Sequence, residues 1–357
     1  AGYRVGTYTS PHLLRFNERM RVDGAPAGDQ EIADALAQVE AARDGVELTY
    51  FEHTTLAALV LFQARDVEVA VLEVGLGGRL DAVNLIDADC AVITQIDIDH
   101  VEYLGPDREA IGFEKAGIFR AGRPAICADR APPARLLDHA CALGVELRLS
   151  GRDYRIEPGD ADWTCRVGAR VYPALPRPAL LGRHQLDNAA AALSALDALR
   201  TRLPVPLAAL RAGLRQASQP GRFQIIGHAP LRVLDVAHNP HAARALAGAL
   251  AELPPGGRRI AVFGLLADKD AEGVLDALAG RIDHWYVAGL PGPRGRPAVD
   301  LAGRLERRGW PYTPAATVIE AWRAACQAAC PADTITAFGS FHTVAEILAD
   351  LQEARDG

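Results

Sequence analysis

Several things are missing from the 357-residue sequence, and each absence closes a class of function. No apolar run approaches the roughly 18 residues of a membrane span, and no signal peptide is visible. Six cysteines lie scattered at positions 90, 127, 141, 165, 326 and 330 without paired CxxC sets, so neither a zinc site nor a disulfide framework is indicated. Cys326 and Cys330, one helical turn apart among alanines, read as packing residues. There is no excess of positive charge: the formal net charge is −7, which argues against nonspecific nucleic-acid binding. Nor is the composition that of a disordered chain, at 49% hydrophobic and 23% charged residues. There is no internal repeat at solenoid spacing. What is left is the profile of a cytoplasmic enzyme, with a length that suggests two domains.

What is present is organised around Val92 to Phe119. Ala91 to Ile98 is apolar and β-branched and reads as a buried strand. It breaks into Asp97, Asp99 and His100, turns at Gly105 and Pro106, and enters a helix near Asp107 that carries Lys115. Ligand-type side chains at the carboxyl end of a strand feeding a helix are where open α/β sheets place active sites.

The rest of the chain repeats strand and helix. Val5 to Tyr8 is a short strand, Asp29 to Ala42 an amphipathic helix, Thr54 to Ala64 a mostly apolar helix, and Val67 to Val74 a continuous apolar strand. Pro124 to Ala128 is another strand, and residues 132–180 are less regular. Helices are expected from Gly182 to Arg200 and from Leu207 to Ala217. Gln219 to Arg222 reads as a hinge, after which strands at 231–236, 259–263, 284–288 and 334–338 alternate with helices at 240–253, through Leu278, at 318–329 and at 344–354. Gly289 to Pro297 reads as a surface loop. The alternation predicts a doubly wound, mainly parallel α/β sheet, with domains at 1–218 and 219–357.

Glu73 sits inside an apolar run, where an unpaired carboxylate is costly; it is either a buried partner of an arginine such as Arg79 or a metal or catalytic carboxylate. Gly75, Gly77 and Gly78 after it allow a tight turn and a close ligand, though the run is neither GxGxxG nor a Walker A. His100, beside two acids, points to a divalent metal. Lys115 alone would be a solvated helix residue, and near a metal its ammonium would be repelled; a lysine carbamate would be an anionic oxygen ligand, which spacing does not show. Ser10 is equally a turn hydroxyl and a ligand. Leu234 to Pro240 gives a strand, a polar loop and a proline-started helix, equally a plain cap and a site for phosphate or ribose. Phe338 to Thr343 repeats that pattern, and Arg222 is a surface arginine or a cation reaching phosphate.

The stretches TSPHLLRFNERMRVDG (9–24), TYFEHTTLAAL (49–59), LEVGLGGRLDAVN (72–84), ITQIDIDHVEYLGPDREAIGFEKAGIFR (93–120), LLGRHQLDNAAAAL (180–193), PGRFQ (220–224), LDVAHNPHA (234–242) and VFGLLADKD (262–270) together resemble the folylpolyglutamate synthase/dihydrofolate synthase family of the Mur ligase superfamily. The resemblance implies a Mur-ligase-like fold, with a P-loop NTPase-like core and a smaller, Rossmann-like C-terminal glutamate-ligase domain. It implies that ATP phosphorylates dihydropteroate or a folate γ-carboxylate and that L-glutamate attacks the acyl phosphate. Carried residue by residue, it places magnesium on Ser10 and Glu73, and a second ion on Glu73, His100 and a carbamylated Lys115. It places ATP on Asn188, Arg222, Asp235 and His238, and pterin on Thr49, Tyr50, Phe51, Glu52, Leu80, Asp81 and Ala82. Lys115, His238 and Arg222 are the implied catalytic residues. The C-terminal domain would close over ATP about a hinge near Arg222. The implied partners are small molecules only, with no nucleic acid or membrane, and the implied state is a monomer. One departure stands out: the family's Gly-Lys-Ser/Thr phosphate loop and first strand have no counterpart, since no GKS or GKT occurs. The expectation is an N-terminally truncated chain that binds ATP poorly. The alternatives are another Mur-type ATP-dependent amide ligase, an inactive pterin-binding fragment, or a metallohydrolase bridged by a carbamylated lysine.

Overall fold

Half-buried and buried side chains alternate along Val5–Tyr8, which makes it a strand with one covered face, β1. The computed structural model describes residues 1–356. In it β1 lies between partners of opposite sense. β2 (Met20–Val22) runs antiparallel to it and pairs in turn with the short β3 (Ala25–Pro26). Two helices follow, α1 (Asp29–Ala42) and α2 (Tyr50–Ala64), and β4 (Val69–Leu72) then returns parallel to β1, in register from Val5 with Val69 to Tyr8 with Leu72. Ile32, Ala35 and Val39 of α1 share one core with Ala57, Ala58, Leu61 and Phe62 of α2 and with Tyr8 and Met20. A second sheet, all parallel, is built from β5 (Ala91–Ile93), two helices α3 (Val101–Leu104) and α4 (Arg108–Ala116), β6 (Pro124–Cys127), α5 (Ala134–Leu143) and β7 (Glu146–Leu149). An antiparallel meander of β8 (Tyr154–Pro158), β9 (Asp162–Val167) and β10 (Arg170–Pro176) follows, closed over the buried Trp163. Then come α6 (Arg183–Ala198) and α7 (Leu207–Gln216).

The remaining elements are β11 (Gln224–His228), β12 (Leu231–Leu234), α8 (Pro240–Glu252), β13 (Arg259–Phe263), α9 (Ala271–Ala277), β14 (His284–Ala288), α10 (Ala298–Arg307), β15 (Tyr312–Ala315), α11 (Val318–Ala328), β16 (Thr334–Phe338) and α12 (Phe341–Asp356). They make one sheet in the order β11-β12-β16-β13-β14-β15, parallel throughout except for β11. Phe263, Trp285 and Phe338 stack at its centre with ring centroids 5.0–6.0 Å apart. The chain divides into one unit of residues 1–177 with 187–215 and another of 178–186 with 216–357.

The expected α/β class and the Rossmann-like C-terminal sheet are present, but the first unit departs from a single doubly wound sheet. Its strands form three small sheets, one of them antiparallel. The two apolar runs read as buried strands are shorter and barer than expected. Only Val69–Leu72 and Ala91–Ile93 are strands, and Val71 and Val92 are 54% and 39% exposed. No helix among the described residues is long and apolar enough to cross a membrane.

Candidate active site

β1 and β4 are parallel neighbours, so their carboxyl ends stop side by side. The ladder runs one step further, with Glu73 N donating to Tyr8 O at 2.9 Å, and the chain beyond β1 turns so that Ser10 N donates to Glu73 Oε2 at 2.8 Å. Ser10 and Glu73 therefore meet at the carboxyl ends of parallel strands, where open α/β sheets place their chemistry. Contrary to the expectation of a carboxylate inside an apolar strand, Glu73 lies past the end of β4 and is exposed. It is not held by Arg79 as a buried pair either, because Arg79 forks onto Glu114, with Nη2 to Oε1 at 3.0 Å.

The glycine run after Glu73 crosses the end of α4. Arg79 N donates to Glu114 O at 2.9 Å, and Asn84 Nδ2 donates to both Arg79 O and Gly117 O at 3.1 Å. A Cβ on Gly117 would stand 2.4 Å from Arg79 Cβ, so only glycine admits this approach. The last turn of α4, which carries Lys115, is thus fastened to the loop that starts at Glu73. Lys115 and Lys269 are the only lysines among 38 basic residues. Burial holds the Lys115 amine below its ordinary pKa, partly offset by the negative charge of Asp99. Asp99 is also the neighbour of His100, 4.0 Å from its Nε2, and His100 takes a left-handed backbone at φ 51° where α3 begins. Of the predicted metal residues, Ser10 is thus tied to Glu73, and Asp99 neighbours both His100 and Lys115. Among the described residues no three His, Cys, Asp or Glu side chains form a metal cluster.

The residues expected to hold a pterin have local duties as well. Thr49 and Glu52 form a capping box that starts α2: Glu52 N donates to Thr49 Oγ1 at 3.2 Å, and Thr49 N donates to Glu52 Oε2 at 2.7 Å. Asp81 accepts from Leu76 N and Val83 N at 2.9 Å each and shapes the turn before Ala82. Leu80 is 82% exposed and Tyr50 61%. The ring of Phe51 lies against Gly75, where a Cβ would stand 2.6 Å away. Thr49→Ala is expected to cost about 1 kcal/mol, because it unpairs the Glu52 amide. Urea unfolding checks this, and an unchanged midpoint would mean that the cap is not held in solution.

Sequence reasoning passed over a buried cation near Ser10. Arg19 donates through Nε to His12 Nδ1 at 2.8 Å and lies over the rings of Phe16 and Tyr50 at 5.8 and 5.6 Å. Among the described residues no carboxylate pairs with it. Burial, and then the charge of Arg19, push the His12 pKa down, so the imidazole is a neutral acceptor at pH 7. Glu18 supports the same loop by accepting from the amides of Leu13, Leu14 and Arg15 at 2.8 Å each. The interleaved Arg-Phe-Asn-Glu-Arg run was the available signal.

In the second unit, β12 ends in Asp235. Its Oδ2 accepts from Phe223 N and its Oδ1 from Ala237 N, both at 2.8 Å. One carboxylate thus ties the turn carrying Arg222 to the strand end carrying His238. Burial raises the Asp235 pKa, and those two amides and Arg222 act against the rise. His238 donates through Nδ1 to Val236 O at 2.9 Å, since a carbonyl can only accept, and this fixes the ring beside the start of α8. Arg222 and His238 share the ring of Phe341, at 5.6 and 6.1 Å. Asn239 is a helix cap, its Oδ1 accepting from Ala242 N at 2.8 Å, and Pro240 follows at the first helical position. Ser340 is also a cap, buried and accepting from Thr343 N at 2.9 Å. Asn188 lies exposed on α6, in the first unit.

Residues 31–132 match the Mur ligase middle domain and residues 221–341 the Mur ligase glutamate ligase domain. The dihydrofolate synthase/folylpolyglutamate synthase of Escherichia coli K12 is 44% identical over 357 residues, which cover 100% of this chain and 82% of that protein. The structure of E. coli FolC in complex with DHPP and ADP superposes with a TM-score of 0.94 at 45% identity, covering 99% of this chain and 83% of that one. The bifunctional folylpolyglutamate synthase/dihydrofolate synthase from Yersinia pestis, complexed with AMPPNP and Mn ion, gives a TM-score of 0.92 at 45% identity, with the same coverage.

Proposed function

The chain belongs to the dihydrofolate synthase/folylpolyglutamate synthase family, and on that premise we propose that it ligates L-glutamate to dihydropteroate and to the γ-carboxylate of folates at the cost of ATP. The observation that carries this reading is the meeting of Ser10 and Glu73 at the ends of parallel strands, with the desolvated Lys115 fastened to the same loop. Magnesium suits the first pair: a carboxylate and a hydroxyl are hard oxygen donors, and the ion keeps several waters of its own. When bound, it screens the charge on the phosphoryl oxygens. The second set, Glu73, His100 and Lys115, fits a cation only if the lysine is carbamylated. A lowered amine pKa supplies the neutral nitrogen that adds to carbon dioxide.

The chemistry balances as two substitutions. A substrate carboxylate oxygen attacks the γ-phosphorus and ADP leaves. The glutamate nitrogen then attacks the acyl carbon, phosphate leaves, and the ammonium gives up its protons as the amide forms. In the second unit Arg222 and the N-terminus of the 13-residue α8 offer positive charge to the nucleotide phosphates, with the ring of His238 beside them. Asp235 holds Arg222 and His238 in place. In the first unit the aromatic rings of Tyr50 and Phe51 and the exposed Leu80 suit a flat bicyclic ring, and Arg19 suits an anionic group attached to it. Residues 1–218 then form the nucleotide- and folate-binding part and 219–357 the glutamate-ligase part, in a cytoplasmic, monomeric enzyme.

The test is glutamate-dependent ADP release on dihydropteroate and on tetrahydrofolate. It is run with the chain as it stands and with the family's strand, phosphate loop and following helix joined ahead of Ala1. Release on both substrates in the extended form is expected, and the ratio of the two rates apportions the activities. Absence of release on either substrate from a well-folded extended chain would sink the assignment.

A further inference from the structure

Where the meander meets β7 and the last turn of α6, the first unit opens a cleft of about 590 Å³. Six guanidinium groups line it: Arg148, Arg152, Arg155, Arg166, Arg170 and Arg200. Against them stand the lining carboxylates of Glu146, Asp153 and Asp197, and Arg166 is also bonded to Glu157. Six guanidinium groups against these four carboxylates leave a local excess of two positive charges, in a chain of net charge −7.

The carboxylates offset the arginines only in part: Arg152 pairs with Asp153 at 2.8 Å and Arg148 approaches Glu146 at 3.6 Å, while three guanidinium groups share Asp197. Asp197 is only 4% exposed and accepts from Arg148 Nη1 at 2.9 Å and from Tyr172 Oη at 2.6 Å, while Arg170 and Arg200 each approach it at 3.5 Å. Asp197 is thus shared by three guanidinium groups, of which Arg148 also reaches Glu146, at 3.6 Å. The clearest effect of Asp197 is to hold Arg148 rigid at the floor of the cleft. Arg155 makes no ion pair among the described residues, and in the β8–β9 register it stands directly opposite Arg166. Like charges directly opposed across an antiparallel pair disfavour the folded state. An anionic ligand in the cleft removes that penalty.

Guanidinium forks recognise carboxylates and phosphates in bidentate fashion. A single small anion would engage two or three of these groups, whereas six, distributed over β7, β8, β9, β10, the β7–β8 connection and the turn after α6, suit an extended chain of anions. The proposed reaction adds one carboxylate to its product in every round. We propose that the cleft binds the oligo-γ-glutamyl tail of the folate product, an inference that rests on the ligase reading above.

The test is equilibrium binding of γ-linked tetraglutamate to the whole chain by calorimetry, at low and high salt, with inorganic tripolyphosphate in a separate arm. Binding that weakens as salt rises is expected, and Arg155→Glu is expected to weaken it at least about tenfold. Arg155→Lys, which keeps the charge, is expected to stay within about threefold of the parent. Thermal melts of both variants confirm that this exposed position leaves the fold intact. No tetraglutamate binding, equal affinity in Arg155→Glu, or tripolyphosphate binding that tetraglutamate does not displace would overturn the proposal. Because the measurement needs no turnover, its failure leaves the ADP-release result untouched. Loss of ADP release with intact tetraglutamate binding would instead count against the ligase reading.

Discussion

Lys115→Met is expected to lower glutamate-dependent ADP release by at least about a hundredfold, as loss of groups that organise a metal site commonly does, while leaving thermal stability unchanged or raised. The two halves of this expectation come from the same observation. Burial disfavours the ammonium form, so the folded protein carries a desolvation cost that an unbranched apolar side chain of similar length removes. Asp99 recovers part of that cost for the native lysine, which limits the gain but does not reverse it. A lysine kept for stability would behave the opposite way, with the protein melting earlier and activity following the folded fraction. Lys115→Arg separates two functional roles. It keeps a cation at the end of α4 but cannot be carbamylated. If the side chain serves as an anionic ligand, the arginine variant is as impaired as the methionine variant, and removal of bicarbonate and carbon dioxide slows the parent enzyme. If it serves as a cation toward phosphate, the arginine variant keeps much of its activity and carbon dioxide is irrelevant; that outcome would discard the carbamate.

The second unit was the more legible in the sequence. The strands at 259–263, 284–288 and 334–338 appear where expected, because each is an apolar run buried on both faces between helices, the pattern a parallel sheet demands. The elements missed there are β11, α10 and β15. β15 contains Pro314 and lies at the sheet edge, where a missing ladder donor is tolerated, and β11 holds Gly227 at the opposite edge. α10 follows directly on the Pro/Gly/Arg-rich loop and carries four charged side chains in ten residues, which hid its apolar stripe of Leu301, Ala302 and Leu305. In the first unit the same logic misled: the apolar runs before Glu73 and Asp97 looked like strands buried on both faces, yet each continues only briefly as a strand and exposes a valine. At the site, spacing could nominate Ser10 and Glu73 as ligand types but could not reveal that an amide 63 residues away would bond the carboxylate. Asn239 was readable as a cap because caps are local. The bracing role of Asp235 was not, because its partner Phe223 N is reached through a hairpin that the sequence disguises as a hinge.

That bracing leads to the other large effect. Asp235→Ala is expected to destabilise the second unit by about 2–4 kcal/mol, because the amides of Phe223 and Ala237 lose their acceptor at a half-buried strand end. The melting temperature should fall by roughly 10 °C. The Michaelis constant for ATP should rise about tenfold, since the turn that carries Arg222 is released. Asp235→Asn keeps one acceptor and is expected to lose about half as much, and it adds a test that the alanine variant does not. Burial raises the folded pKa of this carboxyl above its ordinary 3.8. Between those two values the native state binds more protons than the unfolded chain, so this group's contribution is fully present below pH 3.8 and is lost as pH rises through the folded value. Stability measured against pH should therefore fall more steeply in the parent than in the asparagine variant across that window, and the two curves should run parallel above it. Parallel curves throughout would show that the two amides and Arg222 outweigh burial and hold the group ionised, in which case Asp235 braces the turn as a full negative charge beside Arg222 and the alanine variant should lose its affinity for ATP through misplaced charge as well as a loosened backbone.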